Sequence, residues 1–600
     1  MTFDGIVMAA VAAELARSLQ NARVDGVYQP GKLDVVIVVR RSGQNVPVIV
    51  SAEASTARVH VSFVHRENPA APPAFCMLLR KHLTGARIAR VVQRGLDRVL
   101  EIGFSGPHDD DPPRTLVIEV MGRHSNIILV DAASGMVLDS IKHIGPALSR
   151  VRTVRPGVPY AAPPSQGKLD PLSVSEDEFR EALERFAPDH EASGISCVEF
   201  LNRKFQGLGR DTSMVIASRA GLAGGDQPCA GLDRDAVGRL WTEFCEAMER
   251  VREARFSPCA GVHRETGEVV WVSVTGPPPL PVEPGEVDVR QFPTAAEVLD
   301  FAYTPRERAV SLAAASAEIS RVVARTIDRL RRKLAVQEEE MAEAGHADDL
   351  RRVGELIAAN APAIRRGSAR AWVVDYFDPE LRKVEVDLDP RLSPRENAQH
   401  YFRRYSRAKR RLAAAREQAS GTRSELEYLE QVATTIEQAE SAEALDEIRR
   451  ELVDQGYLAR PRRERAPGPK ERAPSGPLSF TVDGHEVLVG RNNTENDLLT
   501  LRMARPDDMW LHARGVPGAH VIIRAQAKGA GEVSAEVLLR AAEIAAHYSK
   551  ARGASKVAVD HTLRRHVRKA RGARPGMVIY DHERTIMAAP RPPDAATPAP

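Results

Sequence analysis

The sequence predicts a multidomain α+β protein with a long antiparallel coiled-coil arm. At roughly 100–200 residues per domain, a chain of 600 residues contains three to five domains. Strand-like alternation dominates the first part of the chain, two long helical stretches occupy the middle, and a mixed helix-and-strand segment follows them. These three observations define the order of the domains.

The first predicted domain, residues 1–172, combines helices with strands. Its opening stretch "MTFDGIVMAAVAAELARS" reads as an amphipathic helix, because Asp4 precedes the apolar residues and Glu14 interrupts them, which a signal peptide would not show. Strands are predicted at "DVVIVVR", "NVPVIVS" and "ARVHVSF", a helix at "PPAFCMLLRKHLTGA", and further strands at "RIARVVQRGLDRVLEIGF", "RTLVIEVM" and "SNIILVDA". The Pro-rich "RPGVPYAAPPSQGK" lies at the end of this domain.

Residues 173–290 are predicted to form a helical domain. The "GLG" between two helical stretches resembles the turn of a helix-hairpin-helix, whose Gly-rich loop offers backbone N–H groups to a phosphate. Ordinary helical packing explains the same pattern, so both interpretations stay open.

Residues 291–456 are predicted to form a coiled-coil arm, built from helical stretches at 305–358 and 394–452. Apolar residues recur at helical spacings in the first stretch (Ile319, Val323, Leu330, Leu334, Met341) and in the second (Leu426, Leu429, Ala433, Ile436). Two such helices in one chain pair most simply in antiparallel fashion. The segment "SARAWVVDYFDPELRKVEVDLDP" between them predicts a small hairpin at the tip of the arm.

A basic, Pro-rich linker is predicted at residues 457–477, and an α/β domain follows at 478–590. The last ten residues, 591–600, have the composition of a disordered tail.

Composition excludes several classes of function. The 84 Lys and Arg against 81 Asp and Glu give a net charge of only +3, so attraction to nucleic acid has to come from local clusters. Five cysteines without a CxxC pair argue against disulfides and a zinc site, and predict a cytoplasmic protein. No apolar run of membrane-spanning length occurs. The P-loop, GxGxxG, GxSxG and HExxH motifs are absent, so we expect no catalytic residue, metal or cofactor.

Basic residues cluster in three places. The helix that starts near residue 394 carries Arg403, Arg404, Arg407, Lys409, Arg410 and Arg411, with Tyr401, Phe402 and Tyr405 among them. Residues 550–574 hold nine Lys and Arg against one acid, and the linker is also basic. Three such clusters on a nearly neutral chain favour contacts to a phosphate backbone over a merely solvated surface. The aromatic neighbours favour RNA over DNA, because they suit stacking on exposed bases.

These segments resemble one known family. The blocks "MTFDGIVM", "VYQPGKLDVVIVVR", "PPAFCMLLRKHLTGARI", "EVMGRHSNIILVD" and "LDSIKHI" resemble the N-terminal domain of the NFACT proteins. "DYFDPELRKVEVDLDPRLSPRENAQHYFRRYSRAKR" resembles their coiled-coil middle domain, and "DDMWLHARGVPGAHVIIR", "AAEIAAHYSKAR" and "PGMVIY" resemble their C-terminal RNA-binding domain. The resemblance runs through nearly the whole chain in the family's order.

The resemblance implies a ribosome quality-control factor without enzyme chemistry of its own. Its partners would be the large ribosomal subunit with its rRNA, the peptidyl-tRNA nascent-chain complex that obstructs it, and alanyl-tRNA. The factor would direct mRNA-independent alanine tailing of the stalled chain for degradation, while the ribosome forms the peptide bonds. Membranes and DNA are not expected as partners.

The resemblance and the motifs together give candidate site residues. The expected tRNA contacts are Asp4, Asp97, Arg98, Glu119, Arg123 and His124. The expected rRNA contacts are Arg403, Arg404, Arg407, Arg410, Trp510, His512, Arg514, His520, Arg564, Arg565 and Lys569. For Asp97 with Arg98 the alternative is a surface ion pair, and for His512 and His520 it is an ordinary place in a strand.

Two other functions stay open. The N-terminal domain and the helices after it also resemble formamidopyrimidine-DNA glycosylases, which suggests a shared fold. Those enzymes use an N-terminal proline amine and a zinc finger, whereas this chain begins Met1-Thr2-Phe3 and has no four-ligand cluster. A DNA-repair lyase and a surface fibronectin-binding adhesin are therefore the alternatives.

Overall fold

The computed structural model describes residues 3–69, 71–106, 112–186, 196–222, 228–229, 232–278, 286–459, 476–525 and 533–593. It divides into two compact units, Met1–Val310 and Ser311–Pro600. The predicted linker at 457–477 and tail at 591–600 lie mostly outside the described residues. None of the helices in the described part of the chain is long and apolar enough to cross a membrane.

The first unit is built around an antiparallel sheet to which nine described strands contribute. In chain order these are β1 Arg23–Gly31, β2 Asp34–Arg41, β3 Gln44–Ser51, β4 Arg58–Val61, β5 Arg87–Gln93, β6 Val99–Ser105, β7 Arg114–Glu119, β8 Asn126–Asp131 and β9 Val137–Ser140. The spatial order is β4-β3-β2-β1-β5-β6-β7-β8-β9. Helices α1 Gly5–Leu19 and α2 Ala74–Leu83 pack apolar side chains into the same core as the sheet. This α+β arrangement agrees with the prediction.

Helix α1 is fixed at its first turn by two small features. The carboxylate of Asp4 accepts hydrogen bonds from the N–H groups of Ile6 and Val7, so Asp4 is the N-cap. A Cβ atom on Gly5 would lie 1.9 Å from the carbonyl oxygen of Leu96 and 2.5 Å from the Cα of Gly207. Only glycine fits there, and its N–H donates to the Gly207 oxygen at 2.8 Å.

The next segment contains helices α3 Glu176–Phe186, α4 Cys197–Lys204, α5 Arg210–Arg219 and α6 Arg234–Arg252, then strands β10 Cys259–His263, β11 Val269–Ser273 and β12 Val287–Gln291. The helices pack on an aromatic cluster of Phe179, Phe200, Phe205, Trp241 and Phe244. The three-stranded sheet was not predicted, because its strands are only five residues long and lie within a region assigned as helical.

Helix α7 Ala295–Gly345 begins ten residues before the predicted start at residue 305 and runs through Pro305. Proline is unfavourable inside a helix because it lacks an N–H donor. In the first turns, however, Val298, Leu299 and Ala302 are buried in the core of the first unit. Burial of this face therefore outweighs the unfavourable proline, and the helix starts before residue 305.

The second unit confirms the predicted coiled coil. It contains α8 Ala347–Ala359, β13 Arg370–Val374, β14 Lys383–Asp387, α9 Pro394–Gln438 and α10 Ala442–Asp454. The buried seam consists of Ile319, Val323, Ile327, Leu330, Tyr428, Leu429, Val432, Ile436, Leu445, Ile448 and Leu452. Two cross-helix ion pairs, Arg331 with Glu430 and Arg423 with Glu338, each measure 2.7 Å and fix the antiparallel direction. The β13–β14 hairpin packs on α8 and on the start of α9, as expected for the tip.

The C-terminal domain has a sheet to which six described strands contribute. Its elements are β15 Leu478–Val482, β16 His485–Val489, α11 Asn493–Leu498, β17 Met509–Ala513, β18 Val521–Ile523, α12 Ala535–His547, β19 Val557–Leu563, a two-stranded ribbon of β20 Val567–Arg568 and β21 Ile579–Tyr580, and β22 Arg584–Ala588. The sheet order is β15-β16-β18-β17-β19-β22. Side chains alternate between two buried faces: Leu511 packs with α12, whereas Trp510 packs with Leu499 and Val567 on the other face.

Candidate nucleic-acid interface

A cleft of about 850 Å³ lies in the first unit, where turns and loops from five parts of the chain meet. Its walls come from the β5–β6 turn, the β7–β8 turn, the segments 142–152 and 163–168, and the loop between α4 and α5. Three of the predicted tRNA contacts line it: Asp97, Arg123 and His124. Asp97 is separated in sequence from Arg123 and His124, and the fold brings the three residues to the same cleft.

The lining of the cleft is basic. Five lining residues are Lys or Arg and only Asp97 is acidic; the cations are Arg94, Arg123, Lys142, Arg152 and Lys168. Burial lowers the pKa of both lysines, whose Nζ atoms donate to the carbonyl oxygens of Ala52 (2.6 Å) and Asn202 (2.7 Å). Clustered cations in a concave surface attract phosphate groups. Arg94, Lys142, Arg152 and Lys168 were missed by sequence reasoning, because single basic residues in turns and loops carry no motif.

Asp97 and Arg98 occupy the turn between β5 and β6 and are both half-buried. The Asp97 carboxylate accepts the N–H of Arg98 at 2.7 Å, and Gln93 Nε2 donates to the Asp97 carbonyl oxygen at 2.8 Å. Within the described residues, neither side chain forms an ion pair, so the predicted alternative of a surface ion pair between them is not what the structure contains. The turn is thus held by hydrogen bonds to its backbone.

The β7–β8 turn presents the next two predicted contacts. Gly122 has φ +56°, a conformation that glycine adopts without strain, and starts a 3₁₀ turn that ends at His124. Ser125 is fully buried and its Oγ accepts the Met121 N–H at 2.8 Å, which closes the turn. Arg123 and His124 are exposed, and Arg123 Nε donates to His124 Nε2 at 3.0 Å. Ser125 is thus structural, whereas Arg123 and His124 face the cleft.

Glu119 lies behind the cleft rather than in it. Its side chain is 0% exposed and accepts two hydrogen bonds from Arg152, at 2.5 and 2.7 Å, and one from the Tyr160 hydroxyl at 2.9 Å. Burial, with the Glu119 carboxylate, raises the pKa of Tyr160, so the phenol keeps its proton. The prediction that Glu119 contacts tRNA is therefore corrected: Glu119 holds Arg152, which does line the cleft.

Asp4 is also buried, with 3% exposure. Besides capping α1, its carboxylate accepts the Gly209 N–H at 2.9 Å and the Thr212 hydroxyl at 2.5 Å. Burial raises the pKa of Asp4, and these hydrogen bonds oppose that shift. Direct contact between Asp4 and tRNA does not fit this burial, so that prediction is corrected. Asp4 instead clamps α1 to the loop that carries Gly207, a lining residue of the cleft.

A second candidate surface lies at the start of α9. All six basic residues from Arg403 to Arg411 are exposed, and among the described residues none of them forms an ion pair. Their aromatic neighbours are half-buried: Arg404 lies 5.3 Å above Tyr401 and Lys409 lies 5.7 Å above Tyr405, while Phe402 packs at the tip. The cluster presents uncompensated positive charge, but its aromatic rings are engaged within the protein rather than available for base stacking.

Two of the residues expected to contact rRNA in the C-terminal domain, Trp510 and His520, lie under its surface, and a third, His512, is half-buried. Trp510 is 0% and His520 1% exposed, and the Trp510 ring packs against His512, His520 and Tyr580 at 5.8, 5.3 and 4.8 Å. Burial lowers the pKa of both histidines. The contacts predicted for Trp510 and His520 are thus corrected to core packing, which was the alternative interpretation for the histidine. Half-buried His512 stacks on this cluster.

The basic residues of this domain divide into two groups. Arg514 and Arg565 are exposed at the surface. Arg564 is half-buried and donates to the Thr500 oxygen at 2.7 Å, and Lys569 forms an ion pair with Asp497. Arg514 and Arg565 are the more exposed of these four residues, although Arg565 forms an ion pair with Asp507 at 3.1 Å and Arg514 lies 3.8 Å from Asp560.

Comparisons with known proteins cover nearly the whole length of the chain. Residues 4–471 match the family model for NFACT N-terminal and middle domains, and residues 478–580 match the model for the NFACT protein RNA binding domain. The chain is 35% identical over 604 residues to the Rqc2 homolog RqcH of Bacillus subtilis (strain 168), covering 98% of each chain. It is 30% identical over 129 residues to the Ribosome quality control complex subunit NEMF of Homo sapiens, covering 22% of this chain and 11% of that one.

Among solved structures, the C-terminal part of the fibronectin/fibrinogen-binding protein from Streptococcus suis is 32% identical. It covers 47% of this chain and 96% of its own, with a TM-score of 0.37.

Proposed function

The chain belongs to the NFACT family, and from that premise we propose that it is a ribosome quality-control factor. It binds large ribosomal subunits obstructed by peptidyl-tRNA, recruits alanyl-tRNA, and directs mRNA-independent addition of alanine to the stalled chain. The ribosome forms the peptide bonds, so this protein contributes binding and positioning. Its proposed location is the cytoplasm, where these partners are found.

The observation that carries the proposal is the basic cleft of the first unit. Arg123 and His124 on one turn and Asp97 on another face the same space, within a lining of five cations and one acid. Cations hold a ribose-phosphate backbone without regard to sequence, whereas a carboxylate accepts hydrogen bonds from the amino groups of bases. A cleft with both kinds of group suits tRNA better than a generic polyanion.

The two RNA partners have different proposed binding residues. We assign tRNA to the cleft, with the lining residues Asp97, Arg123 and His124 and the neighbouring Arg98 as contacts, and with Glu119 and Asp4 as buried supports. We assign rRNA to the exposed cations of α9 and to those of the C-terminal domain; these are Arg403, Arg404, Arg407, Arg410, Arg514 and Arg565. The six cations from Arg403 to Arg411 make no ion pair within the described residues, so their charge is available to phosphates.

The experiment that tests this division replaces Asp97 and Arg98 with alanine. The double variant should lose co-purifying tRNA and alanine tailing while it still sediments with large subunits. A matched control is the exposed pair Arg23 and Asp25, which lies in the same unit outside the cleft and is joined at 3.5 Å. Its double alanine variant should retain both activities.

Two outcomes contradict the proposal in different ways. Tailing at the wild-type rate by the Asp97→Ala, Arg98→Ala variant means that the tRNA site lies elsewhere. Loss of sedimentation with subunits by that variant means that the first unit also holds the ribosome. Sequencing the tRNA bound to the wild-type protein tests the amino acid, and we expect alanine-accepting tRNA to dominate.

A further inference from the structure

Two histidines and an aspartate converge beside the ribbon of the C-terminal domain, next to Arg565 and outside the cleft and the basic cluster of α9. The donor atoms of His566, Asp581 and His582 lie within 4.8 Å of one another. His566 Nδ1 is 3.6 Å and His582 Nε2 is 4.0 Å from Oδ1 of Asp581. We propose that these three side chains form a binding site for a divalent transition-metal ion such as Zn²⁺.

The backbone holds the three residues in place. Strand β20 pairs with β21 so that Val567 faces Tyr580, which puts His566 opposite Asp581, and the Asp581 N–H donates to the His566 oxygen at 3.3 Å. The buried hydroxyl of Thr562 donates to the carbonyl oxygens of Asp581 (3.0 Å) and His582 (3.3 Å). The cluster therefore comes from a paired ribbon and a hydrogen-bonded turn.

The distances fit a metal site that needs little rearrangement. Zn–N and Zn–O bonds of about 2.0–2.2 Å put tetrahedral donor atoms roughly 3.4 Å apart. The two measured separations exceed that value by less than an ångström, which rotation of an exposed histidine can supply; His582 is 74% exposed. Arg568 holds the other carboxylate oxygen of Asp581, Oδ2, at 3.2 Å, which turns Oδ1 toward the imidazoles. Orientation of a ligand by such a neighbour is typical of metal sites.

The donor set selects the class of ion. Two imidazoles and one carboxylate favour Zn²⁺, Co²⁺ or Ni²⁺, whereas Mg²⁺ and Ca²⁺ prefer oxygen ligands alone. Three protein ligands leave at least one coordination position for water or for another oxygen donor. Sequence analysis predicted no metal because it searched for cysteine pairs, and His566 is 15 residues from Asp581 in sequence.

The test uses the untagged full-length protein, freed of metal by a chelator and titrated with ZnCl₂ in a calorimeter. We expect one Zn²⁺ per chain, not displaced by excess Mg²⁺, and a Co²⁺-loaded form with visible absorption. His566→Ala, His582→Ala and Asp581→Asn should each weaken binding at least tenfold, since loss of even an outer-shell partner costs about 10–100-fold. His485→Ala is the control, because His485 lies in the same domain outside the cluster.

Measured Zn²⁺ binding tests this proposal independently of ribosome binding. Absence of stoichiometric Zn²⁺ binding overturns it, and so does binding by all three cluster variants that equals that of the control. Circular dichroism checks the fold of each variant. If one of them unfolds, the other two still give the answer.

Discussion

Replacing Glu119 with alanine should destabilise the first unit by about 3 kcal/mol, and the cost follows from its buried contacts. The change removes the acceptor of two hydrogen bonds from Arg152 and one from Tyr160. Removing one partner of a buried ion pair typically costs about 3–5 kcal/mol, because the other charge stays buried without compensation. Arg152 is 10% exposed and keeps its hydrogen bond to the Ala161 oxygen at 3.0 Å, so we expect the lower end of that range.

Amide hydrogen exchange of peptides that cover β7 and β8 measures this cost locally. It reports opening of the strands beside Glu119 and does not require two-state unfolding of a chain with two units. Glu176→Ala is the control, since Glu176 is 48% exposed and pairs with Arg180 on a helix surface. Exposed pairs of this kind contribute about 0.3–0.5 kcal/mol.

A double-mutant cycle separates support from direct contact. Glu119→Leu combined with Arg152→Met removes both charges, so the double variant should be less destabilised than the sum of the single changes. If Glu119→Ala costs less than about 1 kcal/mol but abolishes tRNA binding, the supporting role of Glu119 is wrong. Glu119 would then touch the ligand itself.

Three further predictions concern other parts of the chain. Arg403→Ala, Arg404→Ala and Arg407→Ala together should weaken binding to large subunits and flatten its log-log salt dependence by up to roughly 0.7–0.9 for each phosphate that the protein no longer neutralises; an unchanged slope would mean a solvated surface. Leu429→Ala, at a position 0% exposed in the coiled-coil seam, should cost about 2–5 kcal/mol in unfolding followed by circular dichroism, whereas Val336→Ala, at a position 55% exposed, should change stability by less than about 0.5 kcal/mol. Burial and the neighbouring Arg58 lower the pKa of His60 from 6.5 to about 3, so the unfolded chain binds the proton first and stability falls as pH drops through that interval. The loss is at most about 1.4 kcal/mol per pH unit, and urea unfolding at pH 7 and 5 should show a larger loss for the wild type than for His60→Gln.

The fold was predictable where periodicity is strong and long. Ile319, Val323 and Leu330 recur at coiled-coil spacing, and all three lie in the buried seam. The start of α7 was not predictable, because the local sequence pattern gives no information on the core that buries Val298. Short strands such as β12 have too few residues for their alternation to stand out.

The candidate site was predictable only in part, for a different reason. Motifs identified Asp97, Arg123 and His124, which line the cleft, but they did not reveal burial. Glu119 and Trp510 stand in equally prominent motifs and are both 0% exposed. Motif residues that support a site and motif residues that touch its ligand look alike until the solvent-accessible surface is known.

The two ion pairs across the arm have a consequence for changes in its length. Arg331 and Glu338 on one helix are seven residues apart, as are Arg423 and Glu430, their partners on the other. Seven residues of one helix therefore pair with seven residues of the other, and the apolar seam repeats with the same period. An arm of another length needs both helices shortened or extended together by seven residues, whereas a change in one helix alone shifts the pairing of every residue beyond it. Matched heptad deletions thus offer a way to build a graded series of arms that keep the same tip, and so to measure how far the tip has to reach.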